Sequence, residues 1–154
     1  MIFSCVTVAV LVILSASSAE ARHAFVVRAS VPVVSQWIVA NGDAVATAAR
    51  WTVVARGGDV VRVTRSSPRG TFDLTLRETR TDTTYRTDLI QCNSGGVTGQ
   101  SLVATLRPVR AGTLVSIRIS AAVEGVGEIV LRAGLKQSLH GIERALERVP
   151  RRAK

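Results

Sequence analysis

The chain has 154 residues, 47% of them hydrophobic, with 20 Lys and Arg against 11 Asp and Glu and a formal net charge of +9. That is enough apolar material for one domain with its own core, and two cysteines are too few for a disulfide-built miniprotein. The basic excess favours anionic surroundings, yet no run of five or more basic residues exists and the densest cluster, "RVPRRAK", closes the chain; nucleic acid is therefore not the expected partner.

The chain opens with "MIFSCVTVAVLVILSASSAEARHAF", in which Ile2 to Ala19 is uncharged and Ala19-Glu20-Ala21 follows. An apolar stretch ending in Ala-x-Ala reads as an export signal, with the mature chain starting near Arg22. Residues 1–21 are then the signal, 22–150 a single domain and 151–154 a basic tail. Removing Glu20 with the signal raises the formal charge to +10. The expected location is secreted or periplasmic. No Lys or Arg precedes the apolar run, and its length is near the lower limit for spanning a bilayer. A membrane-anchored form, touching lipid through this segment, is thus an alternative, as is a cytoplasmic protein with a misplaced start codon. Cys5 falls inside the segment, so Cys92 has no intrachain partner and reads as a small buried residue.

Downstream, "HAFVVRA" reads as a strand. "SVPVVSQWIVANGDAVATAA" follows with Ser30 as N-cap and Pro32 in the first turn, and Asn41-Gly42-Asp43 divides it into two short helices. "RWTVVAR", "VVRVTR", "TFDLTLRET", "TYRTDLIQC", "GQSLVATLRP" and "TLVSIRISAAV" are strands separated by Gly57-Gly58, "SSPRG", "RTD", "NSGG" and "VRAG" at hairpin spacing. Phe72, Leu74 and Leu76 alternate with polar neighbours, as do Val115, Ile117 and Ile119, while Leu102, Ala104 and Leu106 alternate with Val103 and Thr105. One apolar and one polar face is the pattern of an antiparallel sheet covered on a single side. The last element spans Leu131 to Val149. At about 100° per residue, Leu131, Leu135, Ser138, Leu139, Ile142, Ala145, Leu146 and Val149 share one face, whereas His140 falls on the opposite, solvated side.

The predicted class is therefore α+β: strand, two short helices, six antiparallel strands and a long C-terminal helix. A seven-stranded sheet must curl, and one straight helix cannot fill its concave side, so a cavity is expected between them. Its predicted walls include Trp51, Phe72, Leu74, Leu76 and Ile117 from the sheet side and Leu135, Leu139 and Ile142 from the helix. Trp37 is placed at the mouth, and Ala104 is assigned to neither wall nor core. In "TYRTDLIQ", strand alternation turns Tyr85, Thr87, Leu89 and Gln91 inward and leaves Arg86 and Asp88 together on the wet side. Tyr85 and Asp88 are the only candidate acid–base groups. No metal-ligand spacing, phosphate-binding glycine loop or nucleophile elbow is present, so no metal and no cofactor are expected, and oligomeric state is not encoded legibly.

"ASVPVVSQWIVANGDAVATAARWTVV", "SGGVTGQSLVATLRPVRAGTLVSIRI" and "LRAGLKQSLHGIERALERV" together resemble the helix-grip fold of the START-like superfamily, which includes polyketide cyclase-like (SRPBCC) and pollen-allergen-like lipid-binding proteins. The resemblance covers residues 23–149. It implies a hydrophobic or amphipathic small molecule as partner, lipid- or polyketide-like, held between sheet and helix by a carrier or sensor. Some members are enzymes, so a cyclase or dehydratase using a cavity Tyr or Asp is the alternative, beside a basic protein acting on anionic surfaces. Members are commonly cytoplasmic; the export-like start departs from that and implies a ligand met outside the cytoplasm.

Overall fold

The computed structural model describes residues 16–151; most of the expected signal, Cys5 included, and the last three residues of the basic tail lie outside them. The elements are β1 (Ala16–Val27), α1 (Val31–Ala40), α2 (Gly42–Ala48), β2 (Thr52–Gly57) and β3 (Val60–Ser67). They continue with β4 (Gly70–Arg80), β5 (Thr84–Ser94), β6 (Val97–Val109), β7 (Gly112–Glu124) and α3 (Glu128–Leu146). This is the order expected from the sequence. The strands form one curved antiparallel sheet in the order β1-β7-β6-β5-β4-β3-β2, so consecutive hairpins account for every neighbour except β1, which pairs with β7.

β1 begins at Ala16, six residues before the mature start expected from the Ala-x-Ala motif. Ala16 to Ala21 pair with Glu124 to Ile119, and Ala19 and Ala21 are buried in the core. A strand presents alternate residues to one face, so two alanines at spacing two make a small inward stripe as readily as they make a processing site.

Ser30 has extended backbone before α1 and Pro32 sits in its first turn, where a missing N–H costs nothing. At the break between the helices, both the backbone N–H and Nδ2 of Asn41 donate to the Trp37 carbonyl at 2.9 Å, closing α1. The apolar stripe of α3 is buried: Leu135, Ser138, Leu139, Ile142, Ala145 and Leu146 face inward, with Val149 just beyond. α3 lies over β1 and β7 and against α2. The last contact depends on Gly141. A Cβ there would collide with the Ala48 carbonyl oxygen, so the absence of a side chain lets the end of α2 seat on α3. Beside it, Ser138 Oγ donates to the Ala49 carbonyl at 3.1 Å.

Two apolar clusters result. One gathers α3 with β1, β6, β7 and α1 around Val34, Val115, Leu139 and Leu146. The other gathers β3 and β4 with the far ends of β6 and β7 around Val61, Val63, Leu74, Leu76, Val97 and Val123. Each hydrophobic wall is packed to its own neighbours, and α3 reaches the first half of the sheet far more than the second.

Candidate functional site

Between α3 and the β3–β5 half of the sheet lies a cavity of about 1250 Å³. Trp51, Phe72, Leu74, Leu76, Tyr85, Thr87, Ala104, Ile117, Leu135 and Ile142 all line it. Four residues expected there do not. Trp37 and Leu139 pack into the first apolar cluster, and Leu89 packs against the second. Gln91 is exposed. The β4–β5 register explains Gln91: Leu76 pairs with Leu89 but Thr75 pairs with Gln91, so Ile90 is an extra residue on β5. Such a bulge inverts alternation beyond it, which places Gln91 opposite Thr75 on the outer face.

The candidate acid–base groups are held in different ways. Asp88 is on the outer face, paired to Arg86 at 2.7 and 3.0 Å. The Arg86 hydrogen bonds hold its carboxyl below the usual carboxylate range. Tyr85 does face inward, and its hydroxyl donates to Glu78 Oε1 at 2.9 Å. Burial, followed by the charge of Glu78, pushes the phenol well above its ordinary value, so it stays protonated and its proton is committed. Glu78 Oε2 accepts from Arg56 Nη1 at 2.7 Å, and Arg56 also holds Asp43 at 2.9 Å, so a continuous ion-pair chain runs from the wall to the surface. Glu78 is the inward residue two positions after Leu76. Extending the Phe72, Leu74, Leu76 alternation by one step finds it.

The same step along Val61 and Val63 finds Arg65. Its guanidinium lies 5.8 Å from the centroid of the Trp51 ring and donates to Ser138 Oγ at 3.3 Å. Among the described residues it has no carboxylate partner, and desolvation together with the charge of Arg50 presses its pKa down. An arginine does not respond by losing its proton; its positive charge stays in the cavity wall with no carboxylate among the described residues to balance it. Opposite chemistry is offered by Gln100. Its Nε2 donates to Thr87 Oγ1 at 3.2 Å, while its buried Oε1 has no partner among the described residues. An acceptor left bare at this depth costs about 1–3 kcal/mol unless water or a ligand hydroxyl fills it.

Arg50 stands at the edge of this site in a conformation that arginine disfavours. Its N–H donates to the Thr47 carbonyl and the Trp51 N–H to that of Ala46, a double closure of α2 that requires the left-handed region, and φ at Arg50 is 69°. Glycine is the usual residue at such a position. An arginine there costs about 1 kcal/mol, and it puts a second cation on the cavity lining beside Arg65. Strain of this kind, at the edge of a cavity, is characteristic of functional positions. Arg50→Gly is expected to raise the melting temperature, whereas Arg50→Ala, which keeps a Cβ at positive φ, is not; thermal denaturation of both variants separates backbone relief from loss of charge.

No family model and no curated protein matches the chain. Solved structures do. Ara h 8.0201 superposes with a TM-score of 0.61 at 15% identity, covering 85% of this chain and 96% of that one. A START superfamily protein from Mycobacterium smegmatis gives 0.61 at 18% identity, covering 87% and 96%. The Zhui aromatase/cyclase from Streptomyces gives 0.55 at 16% identity, covering 86% of each chain. With these neighbours and its own element order, sheet and terminal helix, the chain has the helix-grip fold of START-like and polyketide cyclase-like proteins.

Proposed function

We propose that this protein is a carrier or sensor that holds an amphipathic small molecule with an acidic head group in the cavity between α3 and the sheet, without transforming it. The observation that carries this reading is the pairing of a large apolar hollow with two cations that have no carboxylate partner among the described residues. The apolar body of the ligand is driven in by burial, at about 25 cal/mol for each Å² taken from water. Its anionic end is received by Arg65 and Arg50, and Gln100 Oε1 accepts from a hydroxyl on the chain. The mouth suits such a guest: Ile129 and Val130 on the cavity-lining first turns of α3 are 86% and 68% exposed. Catalysis finds less support, because Tyr85 and Glu78 are occupied with each other and Asp88 faces away.

The probe pair that tests this is oleate against oleyl alcohol, equal in chain and different in head group, followed by quenching of Trp51 in a Trp37→Phe background. Oleate is expected to bind more tightly, and Arg65→Met to weaken oleate by roughly tenfold to a hundredfold while leaving the alcohol unchanged, as for loss of a hydrogen bond to a charged group. Equal affinities, indifferent to Arg65, would overturn the reading.

The location belongs to the same proposal. The uncharged start supports export, and the pairing of Ala16 to Ala21 with β7 favours an export segment that stops short of β1 or stays attached. Cleavage after Ala21 would leave Ile119 to Glu124 as an unpaired edge. The intact mass of the chain recovered from the periplasm or the medium is expected to place its N-terminus at or before Ala16; a terminus at Arg22, or a chain found only in the cytoplasm, would contradict this.

A further inference from the structure

His23 and His140 are 117 positions apart in sequence, yet the fold brings them to one carboxylate. His23 is an inward residue of β1, the edge strand, and His140 and Glu143 are one turn apart on α3. His23 Nε2 lies 2.9 Å from Glu143 Oε2, and His140 Nδ1 lies 3.9 Å from the same oxygen. The two imidazoles meet edge to face with centroids 5.1 Å apart. One donor atom from each of the three residues lies within 4.8 Å of the others. None of the three lines the large cavity.

We infer that His23, His140 and Glu143 form a binding site for a first-row divalent transition ion, of which Zn²⁺ is the representative. Two imidazole nitrogens and one carboxylate oxygen are the donor set of an open tetrahedral zinc site, with the fourth position left to water. Bonds of about 2.0–2.1 Å to such a centre put neighbouring donors roughly 3.3 Å apart. The present separations lie on both sides of that value, and the side chain of His140, 62% exposed, is free to turn the remaining distance. Hard ions such as Mg²⁺ and Ca²⁺ prefer all-oxygen shells and are poorly served here. For His23 Nε2 to ligate, the neutral ring carries its proton on Nδ1, so the ion replaces the hydrogen bond to Glu143 rather than adding to it. The ligands come from β1 and α3, so the bound ion fastens the edge strand to the helix. It binds the folded chain and not the unfolded one, and its occupancy raises stability by mass action.

The test is calorimetric titration of the tag-free full chain with ZnCl₂ and, separately, MgCl₂, with thermal melts in each. One Zn²⁺ per chain is expected, with a melting temperature several degrees higher at saturation and no response to Mg²⁺. His23→Gln and His140→Gln should each weaken Zn²⁺ binding by roughly tenfold or more while melting close to the unsubstituted chain in EDTA. His140 is exposed, so its variant reports on binding even if His23→Gln disturbs β1. Co²⁺ in place of Zn²⁺ should give the visible absorption of a tetrahedral centre. Zn²⁺ binding only in the millimolar range, or binding unchanged in the double variant, would overturn the site.

Discussion

A curved sheet of seven strands offers more concave surface than one helix can cover, and the rest of this structure follows from where α3 settles. It lies over β1 and β7 and is held against α2 by the contact at Gly141, so it stands off from the β3–β5 half of the concave face and leaves a gap there. Close packing is satisfied on both sides of the gap: one cluster is centred on Leu139 and Leu146, the other on Leu74 and Leu76. The gap is therefore a property of the topology and not of loose packing. A void of this size forgoes dispersion contacts along its whole lining, a cost that natural cores avoid unless something occupies the space.

The polar groups in the lining divide into two kinds. Tyr85, Glu78, Arg56 and Asp43 satisfy one another in a chain that leads out to solvent, and they read as structural support for the β4–β5 wall. Among the described residues Arg65 and Arg50 have no carboxylate partner, Arg65 being held only by Ser138 Oγ and the Trp51 ring, and the Oε1 of Gln100 has no partner at all. A buried acceptor is almost always satisfied, so the bare Oε1 of Gln100, together with the unbalanced charge of Arg65, marks where a guest's own polar atoms are to be expected. Arg65 and Arg50 lie together with Trp51 on the cavity lining, which gives an incoming molecule an orientation as well as a volume.

Most of the architecture was legible because it rests on short-range pattern. Period-two alternation marked the inner faces of β4, β6 and β7, and one-sided spacing marked α3. Three things were not. The bulge at Ile90 shifts the register of β5, and nothing in "TDLIQCN" distinguishes it from a regular strand; Gln91 is outside for that reason alone. Arg65 and Glu78 continue inward stripes of apolar residues, but a charge at such a position looks like the end of the stripe until the fold supplies a cavity for it to face. Ala19 and Ala21 fit two readings, since small residues at spacing two serve both signal processing and a tight strand pairing. His23, His140 and Glu143 are a fourth case of a different kind: their meeting depends on β1 closing against α3, which no local pattern records.

The central claim is that the space under α3 is a real vacancy able to admit a guest, and substitution of Ala104 tests it most directly. Ala104 lies on β6 in the cavity lining, opposite Tyr85 on one side and Ile117 on the other. If the space is empty of protein, Ala104→Phe projects its ring into it, leaves the melting temperature nearly unchanged or higher, and blocks uptake of oleate. If the interior is solid, the same ring overpacks it and costs about 1–3 kcal/mol of stability; that loss, with oleate uptake unaffected, would contradict the account.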